Sequence, residues 1–274
     1  MTTVPALSLN NGVSIPQLGF GVFQVPPDET AKAVQTALET GYRSIDTATA
    51  YGNEEGVGEA IRASGLPREE LFITTKLVNS DQGYDSTLRA FDASMAKLGL
   101  EQLDLYLIHW PLPARDTYVQ TWKAFEKLYA DGRIRAIGVS NFQVPHLRRL
   151  FDETEIVPAV NQIELHPNLV QAQLRKFHAE HGIITEAWSP LAKGQLLTDD
   201  TITSLASKYG KSPAQVVLRW HLQLGNVVIP KSVTPSRVKE NFELFDFELS
   251  QDDVESISEL DNGTRTGPDP DTFN

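Results

Sequence analysis

Asp46, Tyr51, Lys76 and His109 are the residues whose types and spacing could act together on one substrate. A free phenol has a pKa of about 10 and is a poor acid at neutral pH. An ammonium beside it favours phenolate and lowers that value, and a carboxylate holds the ammonium in place. An uncharged imidazole next to the phenol can donate an N–H to a carbonyl oxygen. Asp46 and Lys76 supply the ion pair, Tyr51 the phenol and His109 the imidazole. Together they amount to an oxyanion site with a proton donor, which reduction of a carbonyl requires. Taken singly, each has a plainer reading. Asp46–Lys76 could be a structural ion pair, Tyr51 a packing residue, and His109, ahead of Trp110-Pro111, a core histidine.

The elements that carry these residues favour the joint reading. Short β-rich runs alternate with helical patterns: Gly19–Val22, Ser44–Asp46, Leu71–Lys76, Leu103–His109, Ile134–Val139, Ala159–Glu164, Ile183–Trp188 and Val227–Pro230. They recur every 25 to 40 residues or so, roughly the length of one βα unit. Between them, Asp28 reads as the N-cap of a helix that stops at Gly41, and Tyr84–Leu98 sets Leu88, Phe91, Met95 and Leu98 on one face. Tyr118–Tyr129 ends at Asp131-Gly132, and Ser212 caps a helix with Pro213 at its first position. The strands are apolar on both faces, as buried parallel strands are. The pattern predicts an α/β fold, a (β/α)8 TIM barrel forming one domain over residues 1–274. Ala6–Leu9 and Ser14–Ile15, joined by Asn10-Asn11-Gly12, read as a β-hairpin plugging the barrel bottom. Asp261–Asn274 reads as an irregular tail folded over the top.

Barrel active sites lie at the carboxyl ends of the strands. There the successive runs present Asp46, Lys76, His109, Ser140-Asn141, Asn161-Gln162 with Glu164, Trp188-Ser189 and Lys231-Ser232. Polar groups at one rim of so many consecutive strands outline a site, and three successive strand exits carry the four residues above.

Composition excludes other classes. The chain has 274 residues, with 24 Lys and Arg against 36 Asp and Glu, a net charge of −12. That balance argues against nucleic acid or an anionic membrane as partner. No cysteine is present, so no disulfide framework, thiolate nucleophile or zinc knuckle is available. No apolar run approaches the roughly 18 residues of a spanning helix, and Met1 to Leu9 lacks the basic start of a signal peptide. The expectation is a soluble, cytoplasmic protein. His146, His178, His181 and His221 fall in helical patterns without metal-ligand spacing, and His166-Pro167 reads as structural, so no metal is expected.

Several of these stretches resemble the aldo-keto reductase family. They are Gly41-Tyr42-Arg43-Ser44-Ile45-Asp46-Thr47-Ala48 with Tyr51-Gly52-Asn53-Glu54, Thr74-Thr75-Lys76-Leu77, Leu103 through Pro111, Gly138-Val139-Ser140-Asn141-Phe142, Asn161-Gln162-Ile163-Glu164, and Ile229-Pro230-Lys231-Ser232-Val233. The likeness runs from Leu18 to about Leu260 and is strongest to the bacterial branch similar to 2,5-diketo-D-gluconate reductase. It implies NADPH-dependent reduction of aldehydes or ketones by a monomer. Tyr51 would be the general acid, tuned by Lys76 and Asp46, with His109 orienting the carbonyl.

The cofactor expectation has support in the residues. No Gly-x-Gly-x-x-Gly fingerprint occurs, since Gly19-Phe20-Gly21 lacks the third glycine and the following helix. Lys231, Ser232 and Arg237 instead flank a short helix after the eighth strand, where barrels often bind phosphate. The resemblance assigns these, with Val233, to the adenosine 2′-phosphate, which favours NADPH/NADP+ over NADH. It likewise places Glu240 and Asn241 at the adenine, Trp188 on the nicotinamide, and Ser140, Asn141 and Gln162 at its carboxamide. Ser189, Leu191 and the loop Ala192–Gln195 would cover the pyrophosphate, and Gly21, Val22 and Phe23 would border the cofactor. Phe23, Tyr51, His109 and Trp110 would line the substrate pocket. Many members carry Trp at the positions of Phe23 and Val78, so this pocket would be more open, and many carry Tyr at that of Trp188. Two alternatives stay in view: a Schiff-base barrel lyase using Lys76 as nucleophile, and a non-catalytic NADPH-sensing subunit.

Overall fold

The computed structural model describes residues 4–274. A hairpin comes first, β1 (Ala6–Ser8) against β2 (Ser14–Pro16). Eight parallel strands follow: β3 (Phe20–Gly21), β4 (Ser44–Asp46), β5 (Phe72–Leu77), β6 (Leu103–Ile108), β7 (Ile134–Ser140), β8 (Val160–Glu164), β9 (Ile184–Trp188) and β10 (Val227–Val228). Each pairs with its neighbours in chain order. The sheet closes where Leu18 bridges Val228 and the Gly21 amide donates to Pro230 O at 3.2 Å. The barrel expected from the sequence is therefore present, with the hairpin before it.

Helices surround the strands: α1 (Pro27–Thr40), α2 (Glu54–Ser64), α3 (Tyr84–Leu98), α4 (Tyr118–Ala130), α5 (Val144–Glu153), α6 (Ala172–Glu180), α7 (Asp200–Tyr209), α8 (Pro213–Gln223), α9 (Pro235–Glu240) and α10 (Gln251–Ser258). Ser212 caps α8 as expected, accepting from the Gln215 amide at 3.2 Å while the Gln215 side chain returns to the Ser212 amide. Asp28 is not a cap. Helix α1 opens at Pro27, whose fixed φ suits the first helical position, so Asp28 falls inside the first turn. Strand β10 is shorter than expected because Pro230 has no N–H to extend a ladder. Among the described residues no helix is long and apolar enough to cross a membrane.

Alternate residues of the strands fall into two separate apolar clusters. Tyr106 and Ile108 of β6 join the layer beneath the helices, whereas Leu105 and Leu107 join Phe72, Ala136, Val160 and Val227 inside the barrel. Gly138 keeps that interior tight, since a Cβ there would stand 2.6 Å from Val160 O and 2.8 Å from Leu107. The hairpin closes the bottom with Leu9 and Ile15, which belong to the inner cluster. Asn10 and Asn11 pin it to the backbone carbonyls of Val157, Pro158 and Arg135. With an apolar plug below, polar side chains on the inward face have room only at the opposite, carboxyl end.

Candidate active site

The inward residue at the end of β4 is Asp46, and that of β5 is Lys76. Both are buried, and Lys76 Nζ lies 2.6 Å from Asp46 Oδ1. Lys76 Nζ also donates to Thr47 O at 3.0 Å and to the Tyr51 hydroxyl at 3.3 Å. Tyr51 reaches this point because the chain after β4 makes a 3₁₀ turn over Thr49–Tyr51, ended by Gly52 in the left-handed region at φ 67°. Asn53 anchors the turn by accepting from Thr47 Oγ1 at 2.8 Å and donating to Val22 O at 2.9 Å. His109 follows β6 and sets its ring edge-on to Tyr51, centroids 5.8 Å apart. The four residues named from the sequence thus meet at one barrel mouth.

The electrostatics give each group a defined proton state. Burial alone would lower the Lys76 pKa, but Asp46, Tyr51 and Glu186 together outweigh it and the ammonium ends above its ordinary value. Burial and then Lys76 push His109 down to about 3, so the imidazole is neutral and one ring nitrogen carries a donor N–H. Tyr51 corrects the sequence expectation. Lys76 does pull the phenol down, but burial pushes it up by more, and Asp46 and Glu186 add to the rise. The free site therefore holds a firmly protonated phenol, ready to donate but not acidified.

Asn141 joins the rear wall together. It sits in the left-handed region at φ 65°, its amide donates to His109 O at 2.9 Å, and its oxygen accepts from Trp188 Nε1 at 2.8 Å. Ser140 donates to Gln162 O at 2.8 Å. The Gln162 amide nitrogen donates to Asp46 Oδ2 at 2.8 Å and to Glu186 Oε2 at 2.9 Å. Its nitrogen thus braces the Asp46 carboxylate, and its Oε1 has no hydrogen-bond partner among the described residues. Phe23, half exposed at 53%, lies 5.1 Å from the Tyr51 ring, and Trp110 meets Phe273 of the tail at 4.6 Å. Val22 is fully buried among the outer apolar layer, so only its backbone can border a cofactor. Gly21 stands on the closing seam, where a Cβ would come within 3.0 Å of Ile229 O.

Around the mouth, Lys231 and Arg237 are exposed, and among the described residues neither has an acidic partner. Ser232 caps the turn into α9 by accepting from the Thr234 amide at 3.1 Å, with Val233 exposed beside it. Asn241 is buried, and Glu240 already accepts from Ser212 Oγ at 2.5 Å. That bond turns the Glu240 carboxylate toward the start of α8. After β9, Ser189, Ala192 and Lys193 all take positive φ, a strained run that bends the Leu191–Gln195 loop beside the mouth.

Residues given no role from the sequence complete the site. Glu164, fully inside the rim, accepts from the Thr266 amide at 2.5 Å, Thr266 Oγ1 at 2.7 Å, the Gly267 amide at 3.1 Å and His166 Nε2 at 3.0 Å. These bonds hold its carboxyl below the ordinary range although burial opposes them. The pairing also makes His166 structural, as expected. Through them the tail lies over Trp188, where a Cβ on Gly267 would stand 2.5 Å from the indole. Lys193 Nζ donates to Thr266 O at 2.8 Å and ties the loop after β9 to the tail. Glu186 was legible in principle: counting back two from Trp188 on β9 puts it inside the barrel.

Comparison with known proteins adds an independent line. Residues 17–262 match the model of the aldo/keto reductase family. Over 275 residues the chain is 54% identical to methylglyoxal reductase DkgA of Escherichia coli strain K12, covering 100% of this chain and 99% of that one. It is 55% identical over 266 residues to a glyoxal reductase of Bacillus subtilis, covering 97% of this chain and 96% of that one. Among solved structures, a mutant of Gox0644 in complex with NADPH matches with a TM-score of 0.96 at 51% identity, with 100% of both chains covered.

Proposed function

This chain belongs to the aldo/keto reductase family, and from that premise we propose that it reduces small aldehydes and ketones with NADPH, Tyr51 donating the proton. NADPH, when bound, supplies the hydride to the carbonyl carbon. Tyr51 and His109 hold the carbonyl oxygen between a phenol O–H and an imidazole N–H. As negative charge grows on that oxygen, Tyr51 passes its proton to it and becomes phenolate. Lys76, 3.3 Å from the phenol oxygen, stabilises that phenolate, and Asp46 keeps Lys76 charged. Solvent then returns a proton to Tyr51. The observation that carries this reading is the convergence of Asp46, Tyr51, Lys76 and His109 from three consecutive strand exits.

The residues around the mouth suit a phosphorylated dinucleotide. Lys231 and Arg237 present two cations to solvent, and a guanidinium takes a phosphate through paired N–H donors. The Asn141 side chain links His109 O to the Trp188 indole, and these residues would border a bound nicotinamide. Ser189, Leu191 and Ala192–Gln195 would close over the pyrophosphate. All four catalytic groups come from one chain, so a monomer would carry a complete site, and the cysteine-free composition fits a reducing, cytoplasmic setting. The relatives named for glyoxal and methylglyoxal make small dicarbonyls the first substrates to try.

Lys76 does not suit the role of Schiff-base nucleophile. It is 1% exposed and gives its protons to Asp46, Thr47 O and Tyr51. The deciding experiment offers methylglyoxal, keto-sugars and aromatic aldehydes with either NADPH or NADH. Consumption of NADPH with at least one carbonyl, and weaker use of NADH, is expected. Borohydride trapping of a carbonyl on Lys76, or tight NADPH binding without turnover of any carbonyl, would overturn the reading.

A further inference from the structure

Beneath the reacting groups lies a buried acid with no part in the proton transfer described above. Glu186 is 1% exposed, on the inward face of β9. The two N–H groups of the Gln162 amide are divided between Asp46 Oδ2 at 2.8 Å and Glu186 Oε2 at 2.9 Å. Asp46 grips Lys76 with its other oxygen at 2.6 Å, and Lys76 reaches Tyr51 at 3.3 Å. A continuous chain of hydrogen bonds therefore runs Glu186–Gln162–Asp46–Lys76–Tyr51. Burying a carboxyl among residues such as Val227 costs free energy that an apolar side chain would avoid.

We propose that Glu186 is a positioning residue for carbonyl reduction: through Gln162 it fixes Asp46, and its own proton sets how much negative charge lies beneath the Lys76–Tyr51 pair. This rests on the reading of Tyr51 as proton donor. The groups that face Glu186 are Gln162 from β8, Val227 from β10, Asp46 from β4, Lys76 from β5 and Tyr51 from the turn after β4. Glu164, the next inward residue of β8, is occupied by the tail and His166.

Burial, and then the charge of Asp46, push Glu186 up to about 8. At pH 7 it is mostly the neutral acid, and Lys76 has one counter-charge, Asp46. Above pH 8 a second carboxylate charge appears beneath the pair and holds the phenol proton more tightly, so the donor weakens. Lys76 and Tyr51 are shifted upward and His109 down to about 3, so none of these three changes charge between pH 7 and 9.

The test uses enzyme preloaded with NADPH and mixed with an aromatic aldehyde, with the single-turnover rate of NADPH oxidation read at pH 7 and pH 9. The wild-type rate is expected to fall up to about tenfold at one unit above the midpoint. In Glu186→Gln the same ratio should change less than about twofold. Glu186→Asp retains a titrating acid and should keep an alkaline fall. A wild-type profile that is flat to pH 9, or an unaltered fall in Glu186→Gln, overturns the proposal. If wild type oxidises no NADPH at either pH, the reductase reading fails and takes this proposal with it.

Discussion

Lys76 is the residue on which the site's electrostatics turn. An ammonium buried to 1% exposure needs a partner, and Asp46 supplies it at 2.6 Å. Asp46→Asn would remove that charge and leave Lys76 uncompensated. Turnover is expected to fall by two orders of magnitude or so, roughly the worth of a positioned acid, while fluorescence titration shows NADPH binding within a few-fold of wild type. His109 carries a second expectation. With its pKa lowered to about 3 by burial and Lys76, it stays neutral above pH 4 or so. The single-turnover reduction rate should therefore be level from pH 5 to pH 7, and a midpoint near 6.5 that vanishes in His109→Gln would contradict a neutral donor. At the rim, Arg237→Ala should weaken NADPH by about 1.5–3 kcal/mol and leave NADH nearly unchanged, as loss of a charge-assisted hydrogen bond predicts. Equal weakening of both cofactors, by calorimetry, would remove Arg237 from the 2′-phosphate.

Among the elements, the tail is held by side chains and not by a ladder. Residues after Asp261 have no regular structure, yet Glu164 holds Thr266 and Gly267, and Phe273 rests on Trp110. Glu164→Ala would strip the acceptor from both tail amides. Hydrogen exchange at Thr266 and Gly267 is expected to quicken at least tenfold, with β5 and β6 protected as before; unchanged exchange would mean that the tail is held elsewhere. The strands themselves were readable from alternation and length, and Ser44–Asp46 matches residue for residue. Their ends were less so: Pro230 shortens β10, and Asp28 reads as a cap only until Pro27 claims the first turn. The tail's anchor was hidden because Glu164 and Thr266 stand 102 positions apart, and no local pattern announces such a pair.

For the whole molecule, the barrel separates stability from chemistry. The apolar plug sits at one end and the polar cluster at the other. Ile15→Ala, deep in the plug, should cost about 2–5 kcal/mol in urea unfolding and leave kcat unchanged, because Ile15 belongs to the inner apolar cluster at the end away from the polar groups. The same division explains what could be read in advance. Spacing placed Asp46, Tyr51, Lys76 and His109 at one rim, because strand ends are a topological property. It could not supply the balance between burial and Lys76 on the phenol, or the turn of the Gln162 amide toward two carboxylates, because both depend on side chains brought together from across the barrel. The most direct measurement is single-turnover NADPH oxidation by Tyr51→Phe with saturating aldehyde, beside its NADPH dissociation constant. A loss of roughly 10²- to 10⁴-fold in rate with the dissociation constant held within about twofold is predicted; a variant that reduces the aldehyde at the wild-type rate would contradict the phenol as proton donor.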